Sequence, residues 1–217
     1  METIAEIYRK YRIMPNLQLH QLRVAAVGKI IAESLTVKVN TQSIIEACLL
    51  HDMGNILKFD LARFPQFTQE HGLSYWENVK KDMCAKYGHE EHAATQAIAA
   101  EVCSEPFTHG CLQAVGFSQA VKNASGTCLE HKICCYADQR VGPMGVLPLE
   151  ERIAEGRKRK AKPNDDIEAH ERAINALREI ERQVFSECQI TPEAITDERV
   201  EKELKNLGGF RIGSSKV

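Results

Sequence analysis

The chain has 217 residues and a formal net charge of -2, from 28 basic and 30 acidic side chains. This length is enough for one hydrophobic core with a small helical addition, and the balanced charge argues against a nucleic-acid polymer or a membrane as the partner. No apolar stretch approaches the roughly 18 residues of a membrane span, and no charged-then-apolar leader opens the chain, so we expect a soluble, cytoplasmic protein.

The first part of the chain predicts three helices. Residues 2–11 form a short amphipathic segment, and residues 16–35 carry an apolar stripe at helical spacing in which His20 lies. Asn40 and Thr41 are good caps for the third helix, which is strongly apolar and ends at the pair His51-Asp52.

The remaining chain also favours helices, and no alternating strand pattern is present. Residues 57–71 are less regular, contain a proline, and predict a loop over the site; the tail after Phe210 predicts loose structure. We therefore predict an all-α fold, with further helices at residues 74–87, 90–103, 108–123, 127–140, 148–160, 163–187 and 191–209.

The eight cysteines contain no C-x-x-C pair, and most lie in apolar helical segments. Free cysteine in such surroundings behaves as a small hydrophobic residue. We expect reduced core thiols rather than a thiolate zinc site.

The most informative feature is the pair His51-Asp52 at the end of an apolar helix. An unpaired buried carboxylate is costly, whereas a divalent cation neutralises it and uses the imidazole lone pair. His20 and Asp138 occupy similar positions at or within apolar stretches. Together the four residues supply two imidazoles and two carboxylates, a suitable ligand set for one catalytic metal.

The order of these residues resembles the HD-domain superfamily of metal-dependent phosphohydrolases, whose signature is H…HD…D on a core of about five helices. The matching stretches are Leu19 to Ala25, Leu49 to Asn55 and Cys135 to Asp138, and the resemblance covers roughly residues 16–160. It implies a phosphohydrolase domain over residues 1–160, with residues 161–217 as a C-terminal helical extension packed on it. It also implies that His20, His51, Asp52 and Asp138 bind the metal.

In binuclear members of this superfamily, a Gly-His step and a histidine on the following helix hold a second metal. Here Gly88-His89 matches the step, but residues 112–120 contain no histidine, although His109 lies near the start of that helix. We therefore predict one divalent ion, which could be Mn, Fe, Co, Ni or Mg, because nitrogen and oxygen ligands without sulfur suit these metals. His89 then becomes a candidate for proton transfer or phosphate contact, and His92 is a weaker substrate contact; a local capping role for His89 stays open.

A phosphate ester needs cationic partners. Arg23 lies three residues after His20 on a neighbouring part of the same helical face, Lys58 lies on the predicted loop, and Arg140 follows Asp138 closely. Asn55 stands where the superfamily usually has a lysine, and Lys58 could substitute for it one turn on if the helix persists that far. For each of the three cations, a solvated surface role stays open. We predict catalytic roles for Asp52, His89, Arg23 and Lys58, and substrate contacts for Arg23, Lys58, His89, His92 and Arg140. The general base stays open among carboxylates that include Glu70, Glu77 and Glu90.

The resemblance implies an enzyme that hydrolyses a small phosphate ester, most commonly a nucleotide, by a metal-activated water. Two alternatives stay open: a nucleotide-binding regulatory or sensor protein that uses the same pocket with little turnover, and a helical scaffold with a vestigial site. The apolar stripe of residues 164–187 could pack on the core or form the seam of a homodimer.

Overall fold

The computed structural model describes residues 1–160 and 166–213, and these residues are mostly helical. The predicted all-α class is confirmed. Two short strands, β1 (Val141–Gly142) and β2 (Gly145–Val146), form an antiparallel hairpin between the helices predicted at residues 127–140 and 148–160. Over the described ranges, none of the helices is both long enough and apolar enough to span a membrane.

The α-helices of the described residues follow most of the predicted segments closely. They are α1 (Ile4–Lys10), α2 (Pro15–Ser34), α3 (Thr41–Leu50), α4 (Leu73–Tyr87), α5 (Glu91–Val102), α6 (Pro106–Ala114), α7 (Ala120–Ser125), α8 (Leu129–Arg140), α9 (Leu149–Lys160), α10 (Ile167–Phe185) and α11 (Asp197–Leu207). Between α3 and α4 the chain is irregular apart from two short 3-10 turns at Asn55–Lys58 and Pro65–Phe67. The loop predicted for residues 57–71 is thus confirmed as irregular chain, and its place over the site stays a prediction.

Capping explains where several helices begin. Thr3 and Glu6 form a reciprocal capping box at the start of α1. The Asn40 side chain accepts a hydrogen bond from the Ser43 N–H at 3.0 Å, which confirms the cap predicted for α3. Proline opens α2 and α6, a position where its missing N–H costs nothing.

Helices α2, α3 and α8 pack against one another at the centre of the fold. The absence of a side chain at Gly28 lets α2 approach α3 closely. A Cβ added at Gly28 would lie 3.0 Å from Ile44 Cγ2 and 3.3 Å from Cys48 Sγ on α3. The facing segment of α8, which includes Ile133 and Ala137, has no exposed surface. The central packing therefore brings together the three helices that carry the predicted metal ligands.

The helix predicted over residues 108–123 is wrong. The chain instead forms α6, a 3-10 turn at Phe117–Gln119, and α7. Val115 has an extended backbone and Gly116 has a φ of 110°, a left-handed value that a helix interior does not accept. After the break, α7 packs on α10.

The C-terminal part packs on the central helices, with α10 against α7 and α8 and α11 against α2. The apolar stripe of α10, including Ile174, Leu177 and Ile180, is buried within the chain. Whether residues 161–217 form a separate unit, and whether the protein is a homodimer, stay predictions. The predicted helix start at Pro163 and Asn164 lies outside the described residues.

Two C-terminal predictions are wrong. The last helix was predicted from residue 191, but Pro192–Ala194 form a 3-10 turn and α11 begins after the Thr196 cap. The tail is also held rather than loose as far as it is described: the Ile4 N–H donates to the Phe210 carbonyl at 2.8 Å, and the Gly213 N–H donates to Glu46 Oε1 at 2.8 Å. Residues 214–217 lie outside the described part of the chain.

Candidate metal centre

The fold brings four predicted ligands together from three helices. His20 comes from α2, His51 and Asp52 follow the last turn of α3, and Asp138 comes from α8. The two imidazole Nε2 atoms are 3.3 Å apart, and both lie 3.7 Å from Asp52 Oδ2. Asp138 Oδ1 lies 3.3 Å from His20 Nε2 and 3.5 Å from His51 Nε2.

These distances suit a shared cation. Ligand atoms bound at about 2.1 Å from one metal are at most about 4.2 Å apart, and every separation given above is smaller. One ligand atom from each of His20, His51 and Asp52 lies within 4.8 Å of the others, so this group could hold a metal ion. The donor set, two imidazoles and two carboxylates without sulfur, also fits a divalent ion of the Mn, Fe, Co, Ni or Mg type.

The orientation of His51 is set by the backbone. Its Nδ1–H donates to the Cys48 carbonyl at 2.7 Å, so Nε2 faces the cluster. This is the arrangement by which a second hydrogen bond fixes the tautomer of a metal-binding histidine. The Tyr8 hydroxyl donates to the nearby Leu49 carbonyl at 2.7 Å and so anchors α1 to the end of α3.

Electrostatics in the cluster favour a positive charge at its centre. Burial disfavours the charged His51 imidazolium, but the Asp52 carboxylate and the hydrogen bond to Asp138 outweigh it and raise the pKa of His51 to about 10. Burial alone would raise the pKa of Asp138, yet hydrogen bonds from His20 and His51 hold that pKa well below its ordinary value. A proton on His51 thus occupies the place where a cation would neutralise the same carboxylates.

The cluster is open on one side. The His51 side chain is only 3% exposed, whereas those of His20, Asp52 and Asp138 are 23%, 19% and 17% exposed. A cation held here would keep coordination positions toward solvent, which a catalytic metal requires and a closed structural site lacks.

Two glutamines that the sequence interpretation missed bind the two aspartates, one at the backbone and one at the carboxylate. The Asp52 N–H donates to Gln21 Oε1 at 3.2 Å, and Gln139 Nε2 donates to Asp138 Oδ2 at 2.6 Å. Each glutamine directly follows a predicted ligand along the chain. Gln21 is completely buried on an otherwise apolar helix face, and that buried polar position is the signal that could have revealed it.

Gly54 sets the position of the segment after His51-Asp52. Its N–H donates to Thr95 Oγ1 at 2.9 Å, and an added Cβ would lie 2.4 Å from the Glu91 carbonyl oxygen and 2.9 Å from the Thr95 nitrogen. Only glycine permits this approach of the turn to α5. The contact ties Asp52 to the helix that begins beside His89.

The predicted cationic partners have different surroundings. Arg23 lies one turn after His20, with 15% of its side chain exposed, and its Nη2 is 3.6 Å from Glu201 Oε1 on α11. Lys58 is exposed at the end of the 3-10 turn Asn55–Lys58, whereas Asn55 itself is buried. The exposed Lys58 is therefore free to reach a ligand, and Asn55 is not.

Arg140 is part of the core. It is 1% exposed, its Nη1 donates to the Tyr136 hydroxyl at 2.6 Å, and its Nη2 donates to the Pro192 and Ile195 carbonyls at 3.3 Å; Nε donates to the Leu147 carbonyl. These bonds satisfy the guanidinium inside the protein. The arginine joins α8 to the C-terminal region instead of presenting donors to solvent, contrary to the substrate contact expected of it.

The two histidines before and within α5 are at the surface. His89 Nδ1 lies 3.1 Å from Cys84 Sγ, and the His92 side chain is 75% exposed.

The Glu90 carboxylate caps α5 by accepting the His92 and Ala93 N–H groups, and these bonds lower its pKa. Glu90, Glu91 and His92 form a second possible metal group among the described residues, but it is exposed and separate from the central cluster.

His109 is bonded to the backbone at the end of α5, and the prediction of one ion stays a prediction. The His109 Nε2–H donates to the Cys103 carbonyl at 2.7 Å, at the C-terminal end of α5. Among the described residues, neither group that could hold a metal includes His89, His109 or Asp138. Asp138 is assigned to the central cluster by its 3.3 and 3.5 Å distances to the two imidazoles.

Comparison with known proteins agrees with the order of these residues. A family model described as HD domain matches residues 18–139, which include all four residues of the cluster. Neither the curated proteins nor the solved structures gave a significant match.

Proposed function

Because the chain belongs to the HD-domain family, we propose that it is a metal-dependent phosphohydrolase that cleaves a small phosphate ester, with nucleotides as the substrate class. The observation that carries the proposal is the convergence of His20, His51, Asp52 and Asp138. The two imidazole Nε2 atoms lie 3.3 Å apart, and each lies 3.3–3.7 Å from a carboxylate oxygen of each aspartate. This arrangement combines the family signature with a geometry that one ion can share.

In this proposal the four residues bind one divalent ion. The ion would supply Lewis acidity toward the phosphoryl group and a bound water of lowered pKa. His51 contributes Nε2 because its Nδ1–H is committed to the Cys48 carbonyl. Gln21 and Gln139 hold Asp52 and Asp138 in position through their hydrogen bonds.

The remaining residues act on the substrate. Arg23 is the first candidate for binding the phosphoryl oxygens because it is one turn from His20 and its guanidinium lies partly buried. Lys58 is proposed to contact a second oxygen or the leaving group, and its exposed side chain leaves it accessible for this role. His89 is proposed to transfer a proton to the leaving group; its exposed position leaves it accessible for this role. His92 is retained as a weaker substrate contact.

A sensor that binds a nucleotide with little turnover is the second candidate, and two observations favour it. A buried asparagine, Asn55, stands in the place of the usual lysine. The Arg140 guanidinium donates hydrogen bonds to backbone carbonyls. Fewer cations are then available to stabilise the charge that develops during hydrolysis. Binding of a nucleotide would need fewer cationic side chains than its hydrolysis does.

A phosphate-release screen separates the two candidates. Purified protein is treated with chelator, reloaded with Mn, Co, Ni, Fe or Mg, and assayed against nucleoside monophosphates and cyclic or bridged dinucleotides, with thermal shift measured in parallel. The enzyme predicts metal-dependent phosphate or nucleotide release that Asp52→Ala abolishes. Strong thermal stabilisation without any product would favour the sensor, and hydrolysis that survives chelation would refute the metal-dependent mechanism.

A further inference from the structure

Arg23 has a largely buried guanidinium with few partners. Only 15% of its side chain is exposed, and its Nε is buried without a hydrogen bond to any described residue. Its ion pair with Glu201 spans 3.6 Å, which is too long for a hydrogen bond. A guanidinium carries five N–H donors, and buried donors are ordinarily satisfied.

We propose that Glu201 is the resting counterion of Arg23 and that a phosphoryl group of the substrate takes its place. This inference rests on the proposed function, since it assigns the regulation of the same site. It adds to that site a residue of α11, a helix outside the segment that matches the family model.

A second ion pair joins the same two helices without Glu201. Lys29 of α2 binds Glu203 of α11 in a short hydrogen-bonded contact, and only 24% of the Glu203 side chain is exposed. The Glu201 side chain, by contrast, is 58% exposed. Glu201 can therefore leave Arg23 for water while Lys29 and Glu203 keep the two helices together.

The position of Arg23 suits a phosphoryl group at the cluster. Residues three apart on a helix have Cβ atoms about 5–6 Å apart, and His20 Nε2 is 3.3 Å from Asp138 Oδ1 within the cluster. A phosphoryl group bound there would bring its outer oxygens within reach of a side chain as long as arginine. Arginine binds such oxygens through paired, charge-assisted hydrogen bonds.

The exchange replaces a weak interaction by a stronger one. Ion pairs with an exposed partner are weak because water and salt screen them, whereas a phosphate could satisfy the donors that Glu201 leaves unused. Removal of the competing carboxylate should tighten phosphate binding by about two- to fivefold, the range expected for loss of such a pair.

The test measures the affinity of inorganic phosphate for the Mn-loaded protein by isothermal titration calorimetry at low salt. The variant is Glu201→Gln, and the matched control is Glu198→Gln, which removes the same charge from an exposed position one turn earlier on α11. Both substitutions are repeated in an Arg23→Gln background, so that a double-mutant cycle isolates the pair. Circular dichroism verifies that each variant is folded.

The proposal predicts tighter phosphate binding in Glu201→Gln, no change in Glu198→Gln, and no effect of Glu201→Gln once Arg23 is replaced. In turnover, Glu201→Gln should lower KM and leave kcat unchanged. Equal effects of Glu201→Gln and Glu198→Gln, weaker binding in Glu201→Gln, or an effect that persists without Arg23 would each overturn it.

The outcome is separable from that of the proposed function. If wild-type protein hydrolyses nucleotides but Glu201→Gln binds phosphate as wild type does, the counterion role alone is refuted. If no nucleotide is hydrolysed under any metal but Glu201→Gln still gains phosphate affinity through Arg23, the counterion role stands and the phosphohydrolase proposal fails.

Discussion

Replacing Gly54 by alanine should destabilise the protein and weaken metal binding together. The added Cβ would lie 2.4 Å from the Glu91 carbonyl oxygen, 2.9 Å from Ala94 Cβ and 2.9 Å from the Thr95 nitrogen. Two of these three atoms belong to the backbone, so α5 and the turn must move apart. The φ of -93° is acceptable for alanine, and the more restricted unfolded chain would favour alanine by about 0.4–1 kcal/mol, but overpacking of this kind costs about 1–3 kcal/mol. The clash therefore dominates.

Urea unfolding of the metal-free protein and calorimetric titration with Mn test this prediction. Gly156→Ala is the matched control: Gly156 lies inside α9, and its added Cβ would meet Arg152 Nη1 at 3.6 Å, an ordinary contact. Alanine there should stabilise by roughly 0.5–1 kcal/mol, because glycine is unfavourable inside a helix. If Gly54→Ala unfolds at the same urea concentration as Gly156→Ala and binds Mn as wild type does, the close approach does not position Asp52.

Three further predictions concern the core, the chain break and pH. Arg140→Met should lower the free energy of unfolding by about 2–4 kcal/mol, because buried carbonyls lose their donors, without changing Mn affinity; an unchanged urea midpoint would show that these bonds contribute little. Gly116→Ala should cost about 1–3 kcal/mol from left-handed strain, measured by urea unfolding, and equal stability would mean that the break between α6 and α7 can adopt another conformation. The pKa of His51 in the folded protein, about 10, lies above its ordinary value of 6.5. The proton on His51 therefore stabilises the metal-free fold fully below pH 6.5, and this stabilisation is lost as the pH rises through 10. A metal must displace that proton, so Mn affinity should rise by about tenfold per pH unit between pH 7 and 9 for one proton released; a flat profile would contradict the pKa shift.

The sequence predicted the helices well where their bounds depend on interactions between residues that are close in the chain. The caps Asn40 and Thr41 and the apolar stripe around His20 depend only on nearby residues, and α2 and α3 lie where they were predicted. The break at Gly116 was missed because the surrounding residues keep helical spacing, whereas the left-handed backbone there and the packing of α7 on α10 are features of the tertiary structure. The held tail was missed because its partner, Glu46, is distant in the chain.

The cluster was predictable for a different reason. An adjacent His-Asp pair after an apolar helix is hard to explain by packing. A further histidine, His20, precedes the pair in the chain, and a further aspartate, Asp138, follows it. The direction in which a side chain points is not readable in this way. Arg140 was expected at the substrate because it lies near Asp138 in sequence, but two residues along a helix rotate a side chain by about 200°, and the structure turns Arg140 into the core.

The central claim is that one divalent ion binds to His20, His51, Asp52 and Asp138, and titration of metal-free protein with Mn by calorimetry tests it most directly. The account predicts about one equivalent bound by wild type, a large loss of affinity in Asp138→Asn and in His20→Gln, and no change in His92→Gln, whose side chain is 75% exposed outside the cluster. Wild-type affinity in Asp138→Asn and His20→Gln, or loss of binding in His92→Gln instead, would contradict it.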